Sequence, residues 1–358
     1  MKPVFSSFHS LHSPLFSLNR RPRWARMESS PPPHHGHSNQ SKTKLIVIMG
    51  ATGTGKSRLS IDLSTHFPHS RIVNSDKMQL YSGLDITTNK IPPHERNGVP
   101  HYLLGDVDSI DADVSPSQFR SAAGLTIASI VSSGNLPLLV GGSNSFIHAA
   151  LVENFDDVFA APESASHLLR YDCCFLWVDV AWSVLSDYLC KRVDDMLDSG
   201  MLEELARFYD PTKEGIRVGL RKAIGVPEFD KYFKKHPPWE SEENGRVPAE
   251  RDQVRREAYE EAVREIKENT CRLAERQVGK IKRLRKAGWE LKRLDGTATF
   301  EAIMKKEEWR SVWEKEVVKP SVKAVRQFLE WLLCVWGYLE EDKQIQMVQK
   351  WPFYRMTT

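Results

Sequence analysis

Cysteine is scarce in this chain, and its spacing matches no metal-binding or redox motif. The 358 residues include 5 cysteines, which form no C-x-x-C pair and stand at no metal-ligand spacing from a histidine. This pattern excludes a disulfide framework and argues against a structural zinc site. Cys173 and Cys174 lead directly into an apolar run, as expected for a buried strand. We therefore expect the cysteines to be reduced thiols of a folded core.

A strong excess of charge and a long apolar run are also missing. The formal net charge is +3, so no global basic field argues by itself for nucleic-acid binding, although a local basic groove stays open. The apolar stretch at residues 328–339 is too short and too interrupted to span a bilayer. Hydrophobic residues make up 41% of the chain, enough for a substantial core. We expect a soluble globular protein with no membrane partner.

Acidic residues are absent from the first 27 positions, which are rich in Ser and Arg. That composition is typical of an organellar transit peptide. Residues 29–41 include three consecutive prolines and predict a flexible connector. We interpret residues 1–43 as a disordered transit peptide and linker that directs the protein to the chloroplast. The alternatives for the location are the mitochondrion and the cytoplasm, and the alternative to a transit peptide is an ordinary disordered N-terminus.

The most specific motif lies at residues 44–57, where the apolar run KLIVIM opens into GATGTGKS. This is a complete phosphate-binding loop of the form GxxxxGK[ST]. Its glycines let successive N–H groups point at an anion, Lys56 adds a positive charge, and Ser57 can ligate a phosphate-bound Mg²⁺. The loop limits the protein to handling phosphates but does not say which phosphate compound it holds.

Further apolar runs alternate with helical patterns and predict the fold class. Strands are expected at 71–76, 136–140 and 175–180, and one long amphipathic helix at 258–284. Strands separated by helices imply right-handed crossovers and a parallel sheet. We therefore predict an α/β fold, a P-loop NTPase-like parallel sheet flanked by helices, with an inserted or appended mainly helical region. The predicted divisions are an α/β core at 44–181, a helical substrate region returning to the core at 182–330, and a Trp-rich extension of unknown role at 331–358.

A candidate general base follows the second predicted strand. Asp76 lies at the strand's carboxyl end, the edge of the sheet at which open α/β folds bind ligands. Asp76 could instead, or also, cap the next helix. A small-molecule kinase would need a base at the same place, so this residue alone does not identify the reaction. Basic residues near the end of the long helix face either a phosphate-bearing ligand or solvent.

Three patches together resemble the isopentenyltransferase family. They are NSDKMQLYSGLDITTNK at 74–90, VGGSNSFI at 140–147 and GLRKAIGVPE at 219–228. With the phosphate loop, the resemblance covers residues 44–330. The chain is most similar to the plant adenylate isopentenyltransferases, the cytokinin-forming branch of the IPP transferase superfamily, which also includes the tRNA isopentenyltransferases. The extension at 331–358 has no counterpart in this pattern.

The resemblance implies transfer of a dimethylallyl group from dimethylallyl diphosphate to N6 of the adenine in ATP or ADP. The phosphate loop would then hold the donor's diphosphate, while the nucleotide arrives from the other side. Mg²⁺ is the implied cofactor, and we expect a monomer that uses no nucleic acid. Lys222 is an alternative to Arg221 as the inward-pointing residue. The implied catalytic residues are Asp76, Arg221 and Thr52, the implied donor-binding residues are Gly50, Gly53, Gly55, Lys56, Ser57 and Ser143, and the implied metal ligand is Ser57.

Three alternative functions stay open, namely two other enzyme activities and a nucleotide-dependent switch. A tRNA dimethylallyltransferase is the nearest alternative. A basic RNA-binding surface and a C-terminal zinc finger would favour it, but beyond residue 285 the chain has one cysteine and no histidine. A P-loop kinase would use the same loop for ATP. A nucleotide-dependent switch would need a second metal motif, for which Asp179 is a weak candidate because it could simply end a strand.

Overall fold

The computed structural model describes residues 42–155, 168–238 and 249–330 of the chain. Within these ranges six strands form one parallel sheet in the order β3-β2-β4-β1-β5-β6. The predicted transit peptide and the predicted C-terminal extension lie outside the described ranges, apart from residues 42 and 43. The strands are β1 Lys44–Gly50, β2 Ser70–Asn74, β3 His101–Tyr102, β4 Leu136–Gly141, β5 Asp172–Asp179 and β6 Leu291–Asp295.

Helices connect these strands and cover both faces of the sheet. A π-helical turn at Glu314–Val318 follows the ninth helix, and a further helical stretch covers residues 319–330. In the described residues no helix is both long and apolar enough to cross a membrane. The helices are α1 Lys56–His66, α2 Pro116–Ser132, α3 Asn144–Leu151, α4 Trp182–Asp198, α5 Met201–Phe208, α6 Val226–Lys235, α7 Ala249–Lys286, α8 Thr297–Met304 and α9 Arg310–Trp313.

β1 is the centre of the sheet and decides where the core lies. Its side chains are buried on both faces: Val47 belongs to one hydrophobic cluster, and Ile46 and Ile48 belong to the other. Such continuous burial is typical of a parallel strand covered by helices on both sides. Val47 pairs with Leu139 of β4 and with Phe175 of β5, so the carboxyl ends of these strands meet at one edge. The phosphate loop leaves the sheet at that edge.

The predicted α/β class, the three predicted strand regions and the long helix are confirmed, with shifted boundaries. β2 ends at Asn74, before Asp76, because the Asn74 side chain accepts a hydrogen bond from the Asp76 amide at 3.1 Å and turns the chain. α7 extends beyond the predicted 258–284 at both ends and packs against α4 and α6. β3 and β6 have too few apolar residues to be recognised from sequence. The predicted boundaries between regions at residues 181 and 330 stay predictions. β6 lies after residue 181 and is nevertheless part of the sheet.

Candidate active site

The phosphate loop joins β1 to α1 and is closely packed on its outer side. Gly53 and Gly55 have φ angles of 80° and 86°, in the left-handed region that favours glycine. A Cβ atom on Gly53 would stand 2.5 Å from the Leu189 side chain, and one on Gly55 would stand 2.9 Å from the Trp313 ring. Both glycines are therefore required by the backbone conformation and by the neighbouring helices, which hold the loop in its curled form.

Lys56 curls back over the loop. Its Nζ donates a hydrogen bond to the Ala51 carbonyl at 2.6 Å. Burial lowers the pKa of Lys56 to about 8, and Arg192 adds to the shift, while the nearby Asp76 carboxylate opposes it. Ser57 lies exposed in the first turn of α1. The loop thus presents the amine of Lys56 and the accessible hydroxyl of Ser57, two groups that suit an anion-binding site.

Asp76 lies where the sequence predicts it, after β2 at the edge of the sheet, and it is half-buried. Its Oδ1 accepts a hydrogen bond from the Met78 amide at 3.1 Å, so one carboxylate oxygen orients the following turn. Both sequence-based interpretations are thus compatible with the geometry, because the second oxygen stays available for a proton. Ser143 supports the same turn, since its Oγ accepts a hydrogen bond from the Lys77 amide at 2.9 Å.

Gln277 of α7 links the phosphate loop to the second glycine motif. Its Oε1 accepts a hydrogen bond from the Thr52 amide at 2.7 Å, and its Nε2 donates one to the Gly142 carbonyl at 3.0 Å. The side chain of Asn144 donates to the Gln277 carbonyl at 3.2 Å. Sequence reasoning did not place Gln277 in the site. The available signal was a polar side chain at a core-facing position of an amphipathic helix, where it is only 8% exposed.

Arg192 of α4 is the second residue that sequence reasoning did not place in the site. Its Nη1 donates a hydrogen bond to Thr52 Oγ1 at 3.3 Å, and its Nε is buried with no hydrogen-bond partner in the described structure. Burial lowers the pKa of Arg192, although nearby Tyr188 and Asp76 oppose that shift. A guanidinium with an unused buried donor beside a phosphate loop is suited to bind a negatively charged ligand.

Two cavities meet at this loop. The first cavity, of about 790 Å³, includes Lys56 and Ser57 in its lining, and the second cavity, of about 340 Å³, lies between α4 and α7. Four cationic residues line the second cavity, namely Lys77, Arg192, Lys222 and Arg276. The residues that line both cavities are Thr52, Asp76, Thr88, Arg192 and Met196.

Arg221 and Lys222 are adjacent but take different positions. Arg221 is 5% exposed, donates from Nε to Asp111 Oδ1 at 2.8 Å and stacks over the Phe208 ring. It lines neither cavity, whereas Lys222 lines the second cavity and pairs with Asp113. The structure therefore brings Lys222, the sequence-based alternative, to the site. A direct catalytic role for Arg221 stays a prediction.

Comparisons with known proteins agree with the motifs. The family model described as IPP transferase matches residues 79–168 and 158–283. An adenylate isopentenyltransferase of Humulus lupulus is 58% identical over 79% of this chain and 89% of its own length. Adenylate isopentenyltransferase 1, chloroplastic, of Arabidopsis thaliana is 50% identical over 89% of this chain and 87% of its own. Adenylate isopentenyltransferase 7, mitochondrial, of the same plant is 41% identical over 80% of each chain.

Solved structures share the fold at lower sequence identity. A eukaryotic dimethylallyltransferase that acts on tRNA superposes with a TM-score of 0.61, at 22% identity over 80% of each chain. The tRNA isopentenylpyrophosphate transferase of Staphylococcus epidermidis gives a TM-score of 0.59, at 20% identity over 80% of this chain and 99% of its own. At these identities the similarity concerns the fold alone.

Proposed function

This chain belongs to the IPP transferase family, and from that premise we propose that it is an adenylate isopentenyltransferase. It transfers the dimethylallyl group of dimethylallyl diphosphate to N6 of the adenine in ATP or ADP, the first step in making cytokinins. The relatives named as adenylate enzymes are 41–58% identical to this chain. The structural neighbours that act on tRNA are only 20–22% identical. A free nucleotide is therefore the acceptor that we favour over tRNA.

The observation that carries this proposal is the meeting of the two cavities at Thr52, Asp76 and Arg192. A transfer between two phosphorylated substrates needs two binding spaces that meet at one point. At that point a base must face an anion-stabilising group. Here the candidate base Asp76 and Thr52 of the phosphate loop both line the junction.

We assign the donor to the first cavity. Its diphosphate would accept hydrogen bonds from the loop amides of Gly53 and Gly55, with Thr52, Lys56 and Arg192 supplying further donors. The exposed Ser57 hydroxyl at the start of α1 fits a Mg²⁺ ion that also binds the diphosphate, and the ion would neutralise part of its charge. Among the described residues, no group of three or more His, Cys, Asp or Glu side chains could hold a metal ion by itself. The ion would therefore be held largely by the substrate.

We assign the acceptor to the second cavity. The cations of Lys77, Lys222 and Arg276 reach it, and several positive charges in one cavity suit a di- or triphosphate chain better than a monophosphate. Apolar side chains from both bordering helices, including Met196 and Leu273, complete the wall. They would keep water from an allylic centre that carries positive charge during the transfer.

The chemical step then uses the groups at the junction. The N6 amine attacks C1 of the dimethylallyl group, the C1–O bond breaks, and the electron pair leaves with the diphosphate. Asp76 takes the proton that N6 loses. Lys56 and Arg192 stabilise the charge that grows on the departing diphosphate, as does the Thr52 hydroxyl. Ser143 contributes by orienting the turn that carries Asp76.

Location and assembly are also proposals. Plastid targeting is supported by the composition of residues 1–27 and by a relative whose name states that it is chloroplastic, while another relative is mitochondrial. The expectation that the chain acts as a monomer stays a prediction.

The proposed reaction can be tested with the full-length protein, dimethylallyl diphosphate and Mg²⁺. ATP, ADP, AMP and tRNA are supplied separately, and prenylated adenine is measured by mass spectrometry. We expect product from ATP and ADP, and much less from AMP. Product from tRNA alone would replace the proposal with the tRNA activity, and ATP hydrolysis without transfer would replace it with a kinase-like activity.

Asp76→Asn tests the proposed base. The amide keeps an oxygen that can accept the Met78 hydrogen bond, so the fold should not change. Loss of the base should lower kcat by roughly 10²- to 10⁴-fold. Asp85→Asn is the matched control, because Asp85 also lines the first cavity but is exposed and paired with Lys90. Turnover in Asp76→Asn similar to that of the control would remove Asp76 from the catalytic role.

A further inference from the structure

Two cysteines that are far apart in the sequence meet between α4 and α7. The thiols of Cys190 on α4 and Cys271 on α7 are close enough to interact, because the Cys190 thiol contributes to the raised pKa of Cys271. The Sγ of Cys271 also lies 3.9 Å from the carbonyl oxygen of Ser186, one helical turn before Cys190. Both cysteines are free thiols, and both are partly accessible to solvent. The two side chains therefore face each other across the contact between two packed helices.

These two helices also hold the phosphate loop. Arg192, two residues after Cys190, contacts the Thr52 hydroxyl, and Gln277 of α7 binds the Thr52 amide. The second cavity lies between the same helices. A covalent bond between Cys190 and Cys271 would therefore limit the separation of α4 from α7 and, through Arg192 and Gln277, the movement of the loop.

We propose that Cys190 and Cys271 form a reversible disulfide that fixes α4 to α7 and restrains the phosphate loop. The oxidant is a disulfide compound, such as oxidised glutathione. The thiolate of one cysteine attacks the oxidant and releases one thiol, and the second cysteine then attacks the mixed disulfide and releases another. Two cysteine thiols and one disulfide thus give the protein disulfide and two small thiols. A dithiol reductant reverses the reaction.

The chemical environment makes this exchange slow at neutral pH. Burial raises the pKa of the Cys271 thiol to about 11, and the neighbouring Cys190 thiol adds to the shift. Because the thiolate is the reacting form, the exchange should become roughly tenfold faster for each unit by which the pH rises towards that pKa. A bond that forms slowly responds to lasting changes in redox conditions rather than to brief ones.

The matched control is the other cysteine pair of the chain. Cys173 and Cys174 are adjacent on β5, and they pack against the two different hydrophobic clusters on opposite faces of the sheet. Burial raises the pKa of both thiols, that of Cys174 to about 11. They therefore share the slow chemistry of Cys271 but lack the facing geometry, and they should not pair.

The test incubates the full-length protein with oxidised glutathione at pH 9, followed by peptide mapping without reduction. We expect a peptide that links Cys190 to Cys271, its loss after dithiothreitol, and its absence from Cys190→Ser and Cys271→Ser. The loop that the bond closes is long, so Tm should rise by roughly 5–10 °C in the wild type and not in either variant. A link to Cys173, Cys174 or Cys334, or glutathione adducts alone, would overturn the assignment.

Hydrogen exchange measures the second half of the proposal without reference to activity. Peptides that cover residues 50–57 should exchange more slowly in the oxidised protein than in the reduced protein. The same treatment should leave Cys190→Ser unchanged. If the disulfide forms while exchange in this loop is unaltered, the bond does not restrain the phosphate loop.

Discussion

Gln277→Ala is the most informative substitution because one side chain holds two parts of the site together. Its Oε1 accepts a hydrogen bond from the Thr52 backbone N–H at 2.7 Å, and its Nε2 donates one to the Gly142 carbonyl oxygen at 3.0 Å. Alanine removes both bonds. The buried Gly142 carbonyl then keeps only the hydrogen bond from the Asn144 backbone amide at 3.1 Å, and the Thr52 amide becomes open to water from the cavity. The substitution therefore affects both the stability of the fold and the shape of the loop.

The expected loss follows from these two bonds. The Gly142 carbonyl keeps a second donor, so each of the two lost hydrogen bonds contributes about 0.5–1.5 kcal/mol to the stability of the folded state. We expect the free energy of unfolding to fall by about 1–3 kcal/mol, which lowers Tm by roughly 2–10 °C. Misplacement of the Thr52 amide should weaken pyrophosphate binding by roughly 2- to 10-fold.

Urea denaturation and titration with pyrophosphate and Mg²⁺ measure these two effects separately. Gln253→Ala is the matched control, because Gln253 lies on the same helix, is exposed and bonds only to Glu257 in the described structure. We expect the stability of that control to change by less than about 0.5 kcal/mol. If Gln277→Ala and Gln253→Ala behaved alike, Gln277 would not be the link between the loop and the second glycine motif.

Gln277→Glu sharpens the same test. A carboxylate can still accept the hydrogen bond from the Thr52 amide, but it cannot donate one to the Gly142 carbonyl. It also places a negative charge near the proposed diphosphate site. Pyrophosphate should therefore bind more weakly to Gln277→Glu than to Gln277→Ala, and tighter binding would contradict the assignment of the anion to this loop.

Four charged residues give one further prediction each. Arg192→Met keeps the length of the side chain but removes an anion-stabilising donor beside Thr52. It should therefore lower kcat by roughly 10²- to 10³-fold. Steady-state kinetics that show less than a threefold loss of kcat would exclude that role. Lys222→Ala should raise the KM for ATP by roughly tenfold with a smaller effect on AMP, and an equal effect on both nucleotides would remove Lys222 from phosphate binding. Arg221→Lys keeps the charge but loses the Nε bond to Asp111, so a lower Tm with unchanged kcat would argue against the catalytic role predicted for Arg221. The pKa of Lys56 is about 8 in the free protein and should rise when an anion binds. Pyrophosphate binding should therefore take up protons near pH 8, and the affinity should fall above that pH. Calorimetry in two buffers of different ionisation enthalpy measures the proton uptake, and finding none would contradict this prediction.

Sequence patterns predict most of the sheet because its central strands are buried on both faces. β1, β4 and β5 are continuous apolar runs, which require no knowledge of their partners to be recognised. β3 has two residues, and β6 reads LKRLD, with charged side chains exposed at the edge of the sheet. Such strands are stabilised by the neighbour with which they pair rather than by their own composition, so sequence alone does not identify them.

By itself the sequence determined the α/β class, the phosphate loop and a carboxylate after the adjoining strand, because each depends on residues close together in the chain. Only the tertiary structure decided which distant groups complete the site. Thr52 meets Arg192 and Gln277 across separations of 140 and 225 residues, and no local pattern encodes such contacts. The same holds for the adjacent Arg221 and Lys222: the short 3₁₀ turn at Gly219–Lys222 directs one to Asp111 and the other to the second cavity. The orientation of a side chain depends on the packing around its turn, which exists only once the chain has folded.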